Sequence, residues 1–384
     1  MPMQVHKPKI LFVITQFYKG GAEAALLNLF KKLKPEEYEI DFLILDQATF
    51  KDAKSLIGYI PPWIDVYNAA EKEGRWALVT KVIFRIWRKL TKRQLVRSSA
   101  LKFIKGKQYD YAVSYGEWLP PEFVARKVIA KRKAIWVHCD IDKADYVDER
   151  ILFRYDLHFT NYIFVSEKSM QGALEKYPFL KGREHIIHNM VDERKIIELA
   201  EKDCEVEKDE NFILVTVANL REEKNHLRQI EVHQILKKRG LKIKWLNIGS
   251  TANIFVHEKV KEKIEKCGLE SEFLLLGADE NPYRYMKRAD AVAVLSDHES
   301  WSLVISEAKI LGIPIIATKT SGALSQLEDQ VNGILCEFNA EDIANKIEDF
   351  LKDDMLQKKI RKNLKGFSME DSTMKEFREV FCGR

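Results

Sequence analysis

Short, unbroken apolar runs alternate with longer stretches of helical periodicity along this chain. The first run, residues 10–15 (ILFVIT), is followed by a Gly20-Gly21 pair and then by Ala22, Ala25, Leu26, Leu29, Phe30 and Leu33 at helical spacing. Similar runs at residues 40–45, 111–114, 134–137 and 162–165 predict further strands. A continuously apolar strand followed by an amphipathic helix, repeated, is the pattern of a parallel sheet covered on both faces. Residues 189–210 are charged and poor in strand formers, and read as a linker with one connecting helix. The pattern then restarts, with strands expected at residues 212–217, 243–248, 273–276, 291–295 and 314–317. The expected architecture is α/β, two doubly wound Rossmann-like domains facing a central cleft, with ligands outside the carboxyl ends of the strands. The first domain takes residues 1–190 and the second 191–370. Residues 371–384 hold a last helix that packs back on the first domain.

Length agrees with that division, because 384 residues exceed what one hydrophobic core ordinarily organises. A content of 46% apolar and 32% charged residues is that of an ordinary globular protein, and a net charge of +5 does not by itself call for nucleic acid. The five cysteines are scattered, with no C-x-x-C pair and no zinc spacing, so they read as free thiols of a reducing compartment. The apolar run near the start is too short for a secretory signal and no stretch is long enough to span a membrane. A cytoplasmic protein is expected.

Chemistry concentrates in ESWSLVISEA, from Glu299 to Ala308, directly after an expected strand. The spacing puts Glu299 at the strand exit and Glu307 about a turn inside the next helix. The backbone N–H groups of Trp301, Ser302 and Leu303 then fall at a helix N-terminus, where anions bind. A diphosphate held there beside carboxylates that accept from sugar hydroxyls is what a nucleotide-sugar site requires. Alone, the pair reads rather as an exposed helix-start carboxylate and a surface one, common in any α/β protein.

The Glu-x7-Glu spacing followed by AKILGIPIIATKTSG resembles the signature of the retaining family-4 glycosyltransferases of GT-B fold. Other motifs fall in that family's order. QFYKGGAEAALLNL resembles its Gly-Gly loop after the first strand, WVHCD its active-site histidine motif, VANLREEKNH its phosphate-binding lysine stretch, and HNMVDERK its domain-junction motif. LLLGADENPYRYMKRAD resembles the stretch that contacts the nucleobase. The resemblance implies His138, Glu299 and Lys224 as catalytic residues. It implies donor contacts from Gly20, Gly21, Asn219, Arg221, Lys224, Leu276, Gly277, Ser300, Trp301, Ser302, Leu303 and Glu307. Glu299 would hold sugar hydroxyls, Glu307 the ribose and Lys224 the phosphates. Neither a metal nor another cofactor is implied, the NDP-sugar (UDP-linked in this reading) being a substrate. The family's arginine is replaced by Asn219, which removes one positive charge at the diphosphate unless Arg221 supplies it.

The activity so implied is retaining transfer of a hexosyl or N-acetylhexosaminyl group to a growing glycan or lipid-linked acceptor, in cell-surface polysaccharide synthesis. A front-face substitution, with the diphosphate helping to deprotonate the acceptor, is the economical mechanism, since no carboxylate nucleophile is identifiable. Two alternatives stay open: a sugar-nucleotide 2-epimerase of the same fold, and a non-catalytic binding subunit.

From Arg75 to Lys107 the chain carries eleven Lys or Arg residues and no Asp or Glu. Trp76, Val79, Val82, Ile83, Ile86, Trp87 and Leu90 are interleaved at helical spacing. Such a helix either lies on an anionic membrane surface or packs on the first domain with a solvated basic face. The expected acceptor favours a peripheral membrane site; no nucleic-acid motif accompanies the charge.

Overall fold

The computed structural model describes residues 7–47, 55–71, 76–91, 95, 97–117, 120–144, 147–204, 206 and 210–383. The chain divides into two compact units, Met1–Met190 with Asp371–Arg384, and Val191–Glu370.

In the first unit β1 (Lys9–Ile14) leads to α1 (Gly21–Lys32), β2 (Glu39–Ile44) and β3 (Asp65–Asn68). Two helices, α2 (Trp76–Thr91) and α3 (Ser98–Ile104), precede β4 (Tyr109–Tyr115). Then come α4 (Pro120–Lys127), β5 (Ala130–Val137), α5 (Glu149–Leu152), β6 (Asn161–Phe164), α6 (Glu167–Lys176) and β7 (Glu184–Ile186). All seven strands pair in parallel in the order β3-β2-β1-β4-β5-β6-β7. The winding direction reverses between β1 and β4, which opens a crevice beyond their carboxyl ends.

In the second unit α7 (Glu193–Ala200) precedes β8 (Phe212–Val217), α8 (His226–Lys238), β9 (Ile243–Ile248) and α9 (Ile254–Cys267). These are followed by β10 (Phe273–Gly277), α10 (Tyr283–Arg288), β11 (Ala291–Val294), α11 (Leu303–Ile310) and β12 (Ile315–Thr318). The unit continues with α12 (Ser321–Gln326), β13 (Ile334–Cys336), α13 (Ala340–Lys352) and α14 (Asp354–Leu364). The sheet order is β10-β9-β8-β11-β12-β13, again parallel, with its reversal between β8 and β11.

The central strands β1, β2, β4, β8, β9, β11 and β12 are buried almost continuously, as their apolar runs require. Three strands were not expected: β3, β7 and β13 are only three or four residues long. Each is paired to a single neighbour at an end of its sheet. Strand β5 also starts four residues earlier than the apolar run, because Lys131, Arg132 and Lys133 lie where pairing with β4 has already begun.

The last helix, α15 (Glu370–Cys382), lays Phe377 and Phe381 against Tyr38, Phe12 and Tyr111 of the first unit. His188 ties it further. Its backbone N–H donates to Glu376 Oε2 at 2.9 Å, its Nδ1 lies 2.7 Å from Glu376 Oε1 and its Nε2 lies 3.5 Å from Glu167. Those two carboxylates outweigh the burial of the imidazole and raise it to about 9. The five cysteines are free thiols. Among the described residues no helix is long and apolar enough to cross a membrane.

The basic segment is not uniformly a surface. Arg97 is buried, paired with Asp46, and donates to Thr80 Oγ1 at 2.6 Å. Lys107 bridges Asp41 at 2.9 Å and Asp65 at 3.1 Å. These two cations hold the first unit together, so the expectation of a membrane face over the whole of residues 75–107 is corrected to the α2 region. Arg75, Lys92 and Arg93 lie outside the described residues.

Candidate functional site

At the reversal point of the first sheet three strand exits converge. Gly20 is the extended N-cap of α1 and Gly21 its first residue. Tyr115, the last residue of β4, donates its hydroxyl to the Ala22 carbonyl at 2.9 Å, and its ring lies 4.3 Å from that of His138. One side chain therefore links the glycine loop to the histidine. His138 follows β5 directly. Both ring nitrogens are shielded from solvent and have no partner among the described residues, and burial lowers the imidazole to about 3. It is therefore neutral at physiological pH, with one N–H donor and one bare nitrogen.

Glu117 was not anticipated. Gly116 turns the chain at a φ of 123°, in the region that favours glycine, and Glu117 folds inward beneath the exit of β5. It is buried, and Oε2 accepts from the His138 backbone N–H at 3.2 Å. Desolvation raises its carboxyl above the usual range. No short motif signals a lone acid after a strand, which is why the sequence did not reveal it.

The second unit builds its counterpart at the β8/β11 reversal. After β8 the chain makes a single 3₁₀ turn, Glu222–Lys224, closed by Asn225 at a φ of 46°. The Asn225 side chain caps α8 by accepting from Arg228 N–H at 3.1 Å. Its amide also donates to Asp297, which pairs with Arg228 at 2.6 Å. This network joins the loop after β8 to the loop after β11, and the Asp297 N–H donates to the Glu223 carbonyl at 2.8 Å. So held, Lys224 Nζ lies 2.5 Å from Glu299 Oε2, both side chains being mostly buried.

Two glycines allow the loops to close. A Cβ on Gly249 would lie 1.9 Å from the Ala218 carbonyl oxygen, and one on Gly322 would lie 2.9 Å from both Glu299 O and Trp301 N. The Gly322 N–H donates to the Glu299 carbonyl at 2.6 Å.

Glu307 sits in the second turn of α11 and accepts from the Tyr283 hydroxyl at 3.0 Å. Burial, with the Glu307 charge beside it, pushes the Tyr283 phenol well above its ordinary range. Tyr283 lies within a motif already singled out, yet its partnership with a residue 24 positions away was not legible. Ser300 and Trp301 lie on the loop before α11, Ser302 is its N-cap and Leu303 its first residue. The Ser302 N–H donates to Gln326 Oε1 at 2.9 Å, and Gln326 Nε2 returns to Ser302 O at 3.0 Å. The expectation that all three amides face an anion is thus corrected for Ser302: Gln326 takes its N–H.

Asn219 and Arg221 lie on the loop that follows β8. Asn219 Oδ1 accepts from Ser250 N–H at 2.9 Å, which spends the side chain on holding the β8 and β9 loops together. Arg221 is exposed, with Glu223 Oε1 at 3.8 Å from its Nη1. Leu276 and Gly277 end β10, where the register shifts; Leu276 is exposed and Gly277 has a φ of 77°.

Two doubly wound units of this topology define a protein of GT-B fold. Its backbone is shared with Anabaena HepE, solved with UDP, at a TM-score of 0.71 and 18% identity over 98% of this chain and 100% of that one. A Rickettsia africae glycosyltransferase gives 0.71 at 19% identity over 98% of each chain. The model of the glycosyl transferases group 1 family matches residues 199–367. A Campylobacter jejuni relative is 28% identical over 202 residues, 52% of this chain and 53% of its own. Its name is N-acetylgalactosamine-N,N'-diacetylbacillosaminyl-diphospho-undecaprenol 4-alpha-N-acetylgalactosaminyltransferase. N-acetyl-alpha-D-glucosaminyl L-malate synthase of Bacillus anthracis is 25% identical over 199 residues, 50% of this chain and 49% of its own. The chain thus spans about half the length of the curated relatives it matches.

Proposed function

We propose that the chain is a retaining glycosyltransferase that moves a sugar from a UDP-linked donor to a growing glycan or lipid-linked acceptor. The observation that carries the proposal is the Lys224–Glu299 pair at the reversal point of the second sheet. Cleavage of the anomeric C–O bond places negative charge on the departing diphosphate, and a fixed ammonium there stabilises the transition state more than the ground state. Glu299 holds sugar hydroxyls and keeps Lys224 oriented before the donor arrives. Glu307, aligned by Tyr283, accepts from the ribose hydroxyls. In the first unit His138, held neutral by burial, keeps one N–H donor and one bare nitrogen for a hydrogen bond.

The UDP complexes of structural neighbours support the donor class, and the name of the Campylobacter relative supports a diphosphate-lipid acceptor. With such an acceptor the protein works peripherally at an anionic membrane face of the cytoplasm. The test is thermal stabilisation by a panel of UDP- and GDP-sugars, then transfer to a synthetic lipid-diphosphate glycan with the product anomer read by NMR. Stabilisation by none of the sugars sinks the donor reading, and an inverted product sinks retention. Loss of transfer in EDTA with recovery in Mn²⁺ would overturn the metal-free leaving-group chemistry.

A second reading, a donor-binding subunit without turnover, is favoured by Asn219, which stands where the resembled family has an arginine and is spent on Ser250. It predicts stabilisation by nucleotide sugars with no product from any acceptor. Conversion of the donor alone into an epimer would favour the isomerase instead.

A further inference from the structure

In α2 the side expected to be solvated is not the only one that faces outward. Trp76, Val79, Val82, Ile83, Ile86, Trp87 and Leu90 recur at helical spacing and are all exposed, Trp76 at 70% and Leu90 at 77%. The helix is instead held to its unit through Thr80 and Phe84: Arg97 donates to the Thr80 hydroxyl, and its guanidinium lies 5.4 Å from the centre of the Phe84 ring. Arg97 is in turn paired with Asp46, so this attachment belongs to the fold. Arg85 and Lys89, both exposed, border the apolar row.

We propose that α2 is a membrane-surface helix that beds this apolar row into a bilayer bearing acidic headgroups. Contiguous large apolar side chains are uncommon on a monomer's surface unless something covers them. The charge beside the row selects the cover. With no Asp or Glu anywhere from residue 75 to 107, a second copy docked on the same face would set Lys and Arg against Lys and Arg. An acidic bilayer satisfies both features at once. The ring systems of Trp76 and Trp87 and the aliphatic residues enter the headgroup–acyl boundary, while Arg85 and Lys89 reach the phosphates. This goes beyond an electrostatic contact, because the apolar part of the attachment is not screened by salt. It deepens the proposed acceptor reading but stands on the first unit alone.

Flotation of the full chain with vesicles of phosphatidylcholine, with and without phosphatidylglycerol, tests it. The protein is expected to float with the acidic vesicles, to lose about tenfold in partitioning at high salt, and to keep a salt-resistant remainder. Ile83→Asp with Leu90→Asp, at positions already in contact with water, should abolish flotation at either salt concentration. Arg85→Gln with Lys89→Gln should leave only the salt-resistant part. Unchanged melting curves establish that both variants are folded. Absence of flotation with acidic vesicles, or flotation indifferent to the Asp variant, overturns the proposal. So does a lipid-free dimer that the Asp variant dissociates, which assigns the row to a second copy. Donor stabilisation is scored separately, so failure of one reading leaves the other standing.

Discussion

Lys224 and Glu299 meet across the two loops that leave β8 and β11, the neighbouring strands at which the second sheet reverses its winding. The pair is largely withdrawn from water, so removing either partner leaves the other charge uncompensated. Lys224→Ala is expected to lower kcat/KM by roughly a hundredfold, since the diphosphate charge grows in the transition state. Glu299→Gln keeps the shape and loses the charge; donor affinity should fall about tenfold, or ~1.4 kcal/mol. Calorimetry with the UDP-sugar and steady-state kinetics separate the two. Unchanged values in both variants would move the site elsewhere.

Tyr283 orients Glu307 through one hydrogen bond. On the proposed reading Glu307→Ala should weaken UDP binding by about tenfold, because the carboxylate assigned to the ribose hydroxyls is lost. Tyr283→Phe should cost less, about threefold, because the carboxylate remains and only its alignment loosens. A titration with UDP alone reads both, and a larger loss in the Phe variant would reverse their assigned order.

Gly249 is a packing requirement rather than a hinge. Because its Cβ would overlap the Ala218 carbonyl, Gly249→Ala must push the β8 loop and its Asn219–Ser250 contact aside. A loss of about 2 kcal/mol in unfolding free energy is expected, together with weaker donor binding. Urea denaturation measures the first, and a wild-type midpoint would show that the loop accommodates a methyl group.

His188 joins α15 to the first unit and carries its charge up to about pH 9. Its folded value lies above the ordinary one of about 6.5, so its contribution is complete below that pH and fades as pH rises through about 9. Lys309, which burial lowers to about 8, works in the opposite sense and favours the folded state as pH rises above that value. The informative quantity is therefore the stability difference between the wild type and His188→Gln. It should be largest near pH 6 and shrink toward pH 10. A difference independent of pH would leave His188 a packing residue only.

The alternation of buried strands and amphipathic helices determined the α/β class and two successive sheets, because a strand covered on both faces must be apolar throughout. Local spacing likewise determined that Glu299 precedes α11 and Glu307 lies within it. Both inferences depend on neighbours in sequence. The edge strands β3, β7 and β13 escaped because so few residues, paired on one side only, carry no periodic signal. Partners distant along the chain were equally illegible: Glu117 beneath His138, Tyr283 on Glu307, and Gln326 on the amide of Ser302. For α2 the sequence determined an amphipathic helix and left its orientation open, since the same periodicity serves a row turned to a core or to a bilayer. Tertiary structure decided it. The buried Arg97, fixed by Asp46, engages Thr80 and Phe84, while Trp76, Trp87 and the aliphatic residues of the helix remain exposed.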